Sequence, residues 1–136
     1  MEEKILEKLL YERYSVKQMV GYFIIGFKET ENKDKFEEIM NNVTTVIVNI
    51  DKNKLVDLVD VEFIEKIDLY WSLNIEQILS YAYIVFKNLM KSNRTIELKD
   101  IVSEFLVVAK LYSPDNAVEY IKRKTTNANM VGGKCE

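Results

Sequence analysis

Apolar residues recur along this chain at three- and four-residue intervals, the spacing that gathers them on one face of a helix. Over residues 2–14 that face holds Ile5, Leu6, Leu9 and Leu10, and the acidic Glu2 and Glu3 suit a helix N-terminus. Ser15 and Gln18 then make a capping-box pattern, opening a second helix with Met19, Val20, Phe23, Ile24 and Phe27. Its apolar residues surround most of the circumference, which predicts burial on two sides. Gly21 and Gly26 lie inside it, each costing about 1 kcal/mol against alanine in a helix interior. A close helix–helix contact would offset that cost.

Asn32 is placed to cap a third helix beginning at Lys33, with Phe36, Met40, Val43, Ile47 and Ile50 as its apolar seam. Residues 43–50 are nearly all β-branched, which favours a strand instead. A turn at 51–54 and a partner strand at 55–63 would then make a hairpin at roughly 43–63, and the fold α+β. The seam favours the helix over this alternative. From Lys54 to Trp71 a helical reading places Val56, Val59, Phe63, Ile67 and Tyr70 on one face. Asp57, Asp60, Glu62, Glu65 and Asp68 then leave much of the remainder acidic.

Asn74 and Gln77 form a second capping-box pattern. The helix they open has Ile78, Leu79, Ala82, Val85, Phe86 and Leu89 in register, with Tyr81, Tyr83 and Ile84 filling its other faces. It is the expected central core helix. After a polar break at 91–95, a helix over 96–112 turns Leu98, Ile101, Phe105, Val108 and Tyr112 inward. Ser113-Pro114 reads as an N-cap followed by proline at the first helical position. That last helix is anchored by Val118 and Ile121, ends at about Lys124, and leaves residues 125–136 as a flexible tail. The predicted architecture is mainly α: a compact bundle of about six helices with short polar turns, in a single domain over residues 1–124.

Composition sharpens this picture. Between Phe27 and Ser113 there is no glycine and no proline, as long elements require. The 136 residues are 48% hydrophobic and 30% charged, a globular balance, with a formal net charge of −3. The one cysteine, Cys135, cannot form an internal disulfide. The start is acidic where a signal peptide is basic, and the apolar run at 19–27 is too short to span a bilayer. A cytoplasmic protein without membrane attachment is expected, and its lysine- and asparagine-rich composition suits a viral or phage accessory protein.

There is no histidine, so neither a Ser-His-Asp arrangement nor a histidine-bearing zinc site exists in the chain. Gly21 and Gly26 have the spacing of a phosphate-binding loop, but Phe27 stands where lysine is required. Asp57, Asp60 and Glu65 have spacings that could bind Mg²⁺ or act as an acid–base couple, and a carboxylate-only enzyme stays open on that ground. A solvated acidic face explains the same spacing, and no cofactor is expected. Lys122, Arg123 and Lys124 are the one dense basic cluster. Cations there suit a helix C-terminus, by about 0.3–1 kcal/mol each, or an arm that contacts phosphates. Eight tyrosines and Trp71 exceed what the apolar faces absorb, a surplus typical of interfaces.

The expected function is a non-catalytic helical protein–protein interaction module: an adaptor, an inhibitor or a self-associating protein. Asp57, Asp60, Glu65, Asp68, Tyr70 and Trp71 are its expected contact surface, suited to a partner with a basic surface. The alternative is a nucleic-acid-binding regulator. It would use Arg94 and Lys99 in a helix-turn-helix, with Asn93 near the phosphates, or the basic end at Lys122, Arg123 and Lys124. Glu97, Asp100 and Glu104, expected on the exposed face of that helix, oppose a groove-reading role.

Overall fold

The Ser15 hydroxyl accepts a hydrogen bond from the Gln18 amide at 3.1 Å, and the Gln18 side chain accepts one from the Ser15 amide at 2.9 Å. This reciprocal cap satisfies two donors that a helix start leaves free. Helix α1, Val16–Lys28, follows, and every residue from Met19 to Phe27 in it is buried. The computed structural model describes residues 11–92 and 94–135, with side chains as far as Thr125 apart from Val56. Residues 2–10 of the expected first helix lie outside them. Tyr14–Ser15 form a short strand, β1, where that helix was expected to finish.

Helix α2 spans Phe36–Asn49 and begins three residues later than expected. Asn32 does not cap it; the Lys35 amide bonds to the Asn32 carbonyl at 3.0 Å in a turn. Glu38 accepts from the Asn32 amide at 2.8 Å, which holds that turn closed. The β-branched stretch is helical, and no hairpin forms at 43–63. Helix propensity penalises each β-branched residue by less than about 0.7 kcal/mol. Burying Ile39, Val43, Val46 and Ile47 returns roughly 1.5–3 kcal/mol per side chain, so packing decides the outcome. Thr44 and Thr45 turn outward and donate to the Met40 and Asn41 carbonyls at 2.9 and 2.8 Å.

Packing of α1 on α2 depends on Gly26. A Cβ there would lie 2.7 Å from Val43 Cγ2 and 2.8 and 2.9 Å from the Val43 Cα and N. Gly21 is different, because its nearest neighbours are the Val59 and Leu55 side chains at 3.6–3.8 Å, an ordinary contact. The α2 terminus is fixed by the buried Tyr22, whose hydroxyl donates to the Ile50 carbonyl at 2.6 Å.

The continuous helix expected from Lys54 to Trp71 is absent. A 3-10 helix occupies Lys52–Asp57, and a single turn, α3, occupies Val61–Ile64. Asp51 and Asp60 each accept from the amide two residues on, at 2.8 and 3.2 Å, and so restart the backbone twice. Leu55, Val59, Ile64 and Ile67 are the buried anchors, and the five-residue step from 59 to 64 leaves the helical period. The chain then reaches strand β2, Ser72–Leu73, which pairs antiparallel with β1 through Tyr14↔Leu73 and Ser15↔Ser72.

Helix α4, Ile75–Met90, opens on the expected Asn74–Gln77 box, with bonds of 2.8 and 2.9 Å. Helix α5 spans Leu98–Leu111, and α6 spans Pro114–Cys135, passing the expected end at Lys124. The Ser113 hydroxyl caps α6 by accepting from the Asn116 amide at 3.3 Å. The result is a mainly α bundle. Helix α1 packs on α2, α5 and the 3-10 turn, while α4 packs on α2, α5 and α6. Phe86 joins the two halves, stacked on Phe27 at 6.1 Å and edge-on to Phe23 at 5.9 Å. Tyr81 donates to the Tyr112 carbonyl at 2.8 Å. Among the described residues no buried side-chain N or O atom lacks a partner, and no helix is long and apolar enough to cross a membrane.

The two glycines therefore separate in a stability assay. Gly26→Ala forces backbone apart and is expected to destabilise by about 1–3 kcal/mol. Gly21→Ala meets only van der Waals contact and is expected to be neutral or to gain up to about 1 kcal/mol of helix propensity. Thermal denaturation of the two variants checks both. A second expectation follows from Tyr22 and Tyr81, whose hydroxyls burial pushes well above their ordinary 10.0. The raised folded value leaves stability intact below pH 10.0 and removes it as pH rises beyond, since the unfolded chain ionises first. Denaturant midpoints at about pH 9 and about pH 11 should show this fall, and it should shrink in the Tyr22→Phe/Tyr81→Phe double variant.

Candidate functional site

The irregular segment 57–71 shows its chemistry to solvent because its anchors point the other way. Val59, Ile64 and Ile67 are buried, and between them Leu58, Val61 and Tyr70 are 51%, 46% and 84% exposed. Asp57, Asp60, Glu62, Glu65 and Asp68 are exposed in the same stretch. Lys66 is its one cation, so the segment carries −4 where the whole chain carries −3. Removing it would leave the rest of the protein at +1.

Tyr70 and Trp71 face different ways. The backbone approaching β2 is extended, and extended residues alternate sides. Tyr70 and Ser72 face out; Leu73 is buried, and Trp71 is half-buried and stacked on Tyr81 with centroids 6.1 Å apart and planes within 8°. Trp71 is thus partly covered by packing, whereas Tyr70 stands free in solvent. The Tyr70 hydroxyl lies against Asp68, whose hydrogen bond and charge push its pKa above the ordinary 10.0.

Asp57 and Asp60 do not share a helix face either, since Asp57 ends the 3-10 turn and Asp60 caps α3. Glu65 is the C-cap of that same turn. Among the described residues no three acidic, cysteine or histidine side chains gather as a metal-binding group. Their shared property is exposure.

Of the residues of the nucleic-acid reading, Arg94, Lys99, Lys122 and Arg123 are paired with carboxylates, and Lys124 forms no ion pair among the described residues. Arg94 lies 3.7 Å from Asp100, and Lys99 lies 3.2 Å from Glu97. Lys122 is 3.9 Å from Glu76 and Arg123 is 3.4 Å from Glu119. Such exposed pairs contribute at most about 1 kcal/mol each. Asn93 lies outside the described residues. Asp100 and Glu104 do not project from the outer face of α5: Asp100 accepts from the Glu97 amide at 2.8 Å, and Glu104 accepts from Asn88 at 3.4 Å. The outer face instead carries Lys99, Ser103, Val107, Lys110 and Leu111.

Two features escaped the sequence reading. Between the α1–α2 and α4–α5 connections lies an open cleft of about 420 Å³, lined by Lys33, Asp34, Arg94, Met90 and Ile96 among others. The second is a run of rings and lysines across α2, α4 and α6. Lys87 stands 4.4 Å from the Phe36 ring centroid, and Lys124 stands 5.4 Å from that of Tyr83. Its signal was present, because Tyr83 and Lys87, and Tyr120 and Lys124, are both four residues apart on predicted helices.

Comparison of the chain with family models, with curated proteins and with solved structures gave no match. The neighbouring aromatics give a direct check on the segment's construction. Trp71→Ala is expected to cost about 2 kcal/mol of stability, less than a fully buried tryptophan, while Tyr70→Ala stays within about 0.5 kcal/mol of the parent. Denaturant unfolding measures both.

Proposed function

We propose that this chain is a non-catalytic interaction module that engages a protein with a basic surface through residues 57–70. The observation that carries this reading is the interleaving of exposed Leu58, Val61 and Tyr70 with five exposed carboxylates on one segment. Exposed apolar side chains supply the surface that excludes water in a complex, and tyrosine is among the residues most enriched at energetic centres of interfaces. The surrounding −4 steers a cationic partner and rejects an anionic one. Buried Val59, Ile64 and Ile67 hold the segment before any partner arrives, which lowers the ordering cost of binding. Adaptor, inhibitor and self-associating roles all use such a surface.

The test is affinity capture from lysate of the native host after nuclease treatment, with parent and variant compared quantitatively. The parent is expected to recover a stoichiometric protein partner, less of it as salt rises. Tyr70→Ala combined with Leu58→Ala should reduce recovery at least tenfold with α-helical circular dichroism unchanged. Equal recovery by parent and variant would reject the surface.

A further inference from the structure

A second surface lies on different elements. Segment 57–71 rests on α1 and α5, whereas Phe36 begins α2, Tyr83 lies mid-way along α4, Tyr120 lies on α6 and Tyr112 ends α5. The Phe36 and Tyr83 rings meet edge-on at 5.1 Å, and those of Tyr112 and Tyr120 meet at 5.2 Å. Lys87 lies over Phe36 at 4.4 Å and Tyr83 at 5.8 Å. Lys124 bridges the two ring pairs, 5.4 Å from Tyr83 and 5.8 Å from Tyr120. Rings and ammonium groups therefore alternate along one continuous strip.

We propose that this strip binds single-stranded nucleic acid, with bases on the ring faces and phosphates on the lysines. None of the four rings is fully buried, and Tyr120 is 36% exposed, so the core does not consume them. A surface lysine standing over a ring marks that face as reachable from solvent, and a base can take the same face once the ammonium moves to a phosphate. Among the described residues neither Lys87 nor Lys124 lies within salt-bridge distance of a carboxylate. Lys122 and Arg123 adjoin the strip in exposed pairs of 3.9 and 3.4 Å, which a phosphate can replace. The overall −3 does not oppose this placement, because segment 57–71 alone carries −4. Single strands fit better than duplex. Stacking needs base faces that a duplex hides.

Fluorescence anisotropy with labelled oligothymidylate and oligouridylate of about twelve nucleotides, and a duplex of equal length, tests the assignment. The single strands are expected to bind at about 50 mM salt, more tightly than the duplex and progressively less well as salt rises. Tyr120→Ala should weaken binding about tenfold and Tyr120→Phe should retain it, because the ring is the platform. Lys124→Gln, at an exposed position, should weaken binding several-fold and flatten the salt dependence. Tyr70→Ala should bind as the parent does, which separates this strip from segment 57–71. Absence of binding at 50 mM salt, duplex binding as tight as single-strand binding, or unchanged affinity in both Tyr120→Ala and Lys124→Gln would overturn the proposal. Binding of an oligoglutamate peptide alone, with the same sensitivity to these variants, would overturn it too and assign the strip to acidic peptides.

Discussion

The absence of a side chain at Gly26 sets the geometry of this fold. With only hydrogen there, α1 lies directly against the backbone of α2 at Val43, where even a methyl group would overlap three Val43 atoms. That approach brings the end of α2 within reach of the Tyr22 hydroxyl, which closes on the Ile50 carbonyl. The 3-10 turn starts two residues later and lays Leu55 and Val59 against Gly21. One close contact thus fixes where the irregular segment leaves the core and which way its carboxylates face. Helix α1, buried from Met19 to Phe27, is the element on which the others are positioned.

Much of the helical framework was legible from the sequence because its signals were local. Both capping boxes, at Ser15–Gln18 and Asn74–Gln77, form as read, and Ser113 caps the helix that Pro114 opens. The α2 seam outweighed its β-branched composition, as buried area outweighs propensity when the two conflict. Residues 54–71 were not legible. Val56, Val59, Phe63, Ile67 and Tyr70 follow a helical period in steps of three and four, whereas the residues actually buried, Leu55, Val59, Ile64 and Ile67, break it with a five-residue step. Asp60 looked like a member of an acidic face, whereas it bonds a backbone amide and restarts the chain, as Asp51 does at the preceding turn. Trp71 and Tyr70 could be told apart only once the backbone there was known to be extended.

Charge is distributed unevenly over the molecule in a way that the mild net value conceals. The acidic segment stands out on one set of elements, and lysines alternate with aromatic rings on another. Neither surface is demanded by the core, whose buried polar groups are already paired among the described residues. The partners proposed for the two surfaces accordingly carry opposite charge. The rigid interior matters most to the ring–lysine strip, which is assembled from elements far apart in sequence: Phe36, Tyr83 and Tyr120 meet only if α2, α4 and α6 hold their relative positions.

The buried stretch of α1, Met19–Phe27, organises the bundle, and residues 60–70 lie at its surface, anchored by Ile64 and Ile67. Residue-resolved amide hydrogen exchange measures this directly, since protection reports the free energy needed to open each element. Amides from Val20 to Phe27 are expected to exchange most slowly in the protein, opening only with global unfolding, while those of 60–70 exchange orders of magnitude faster. Exchange in α1 as fast as in 60–70, or protection of 60–70 equal to that of α1, would contradict the account.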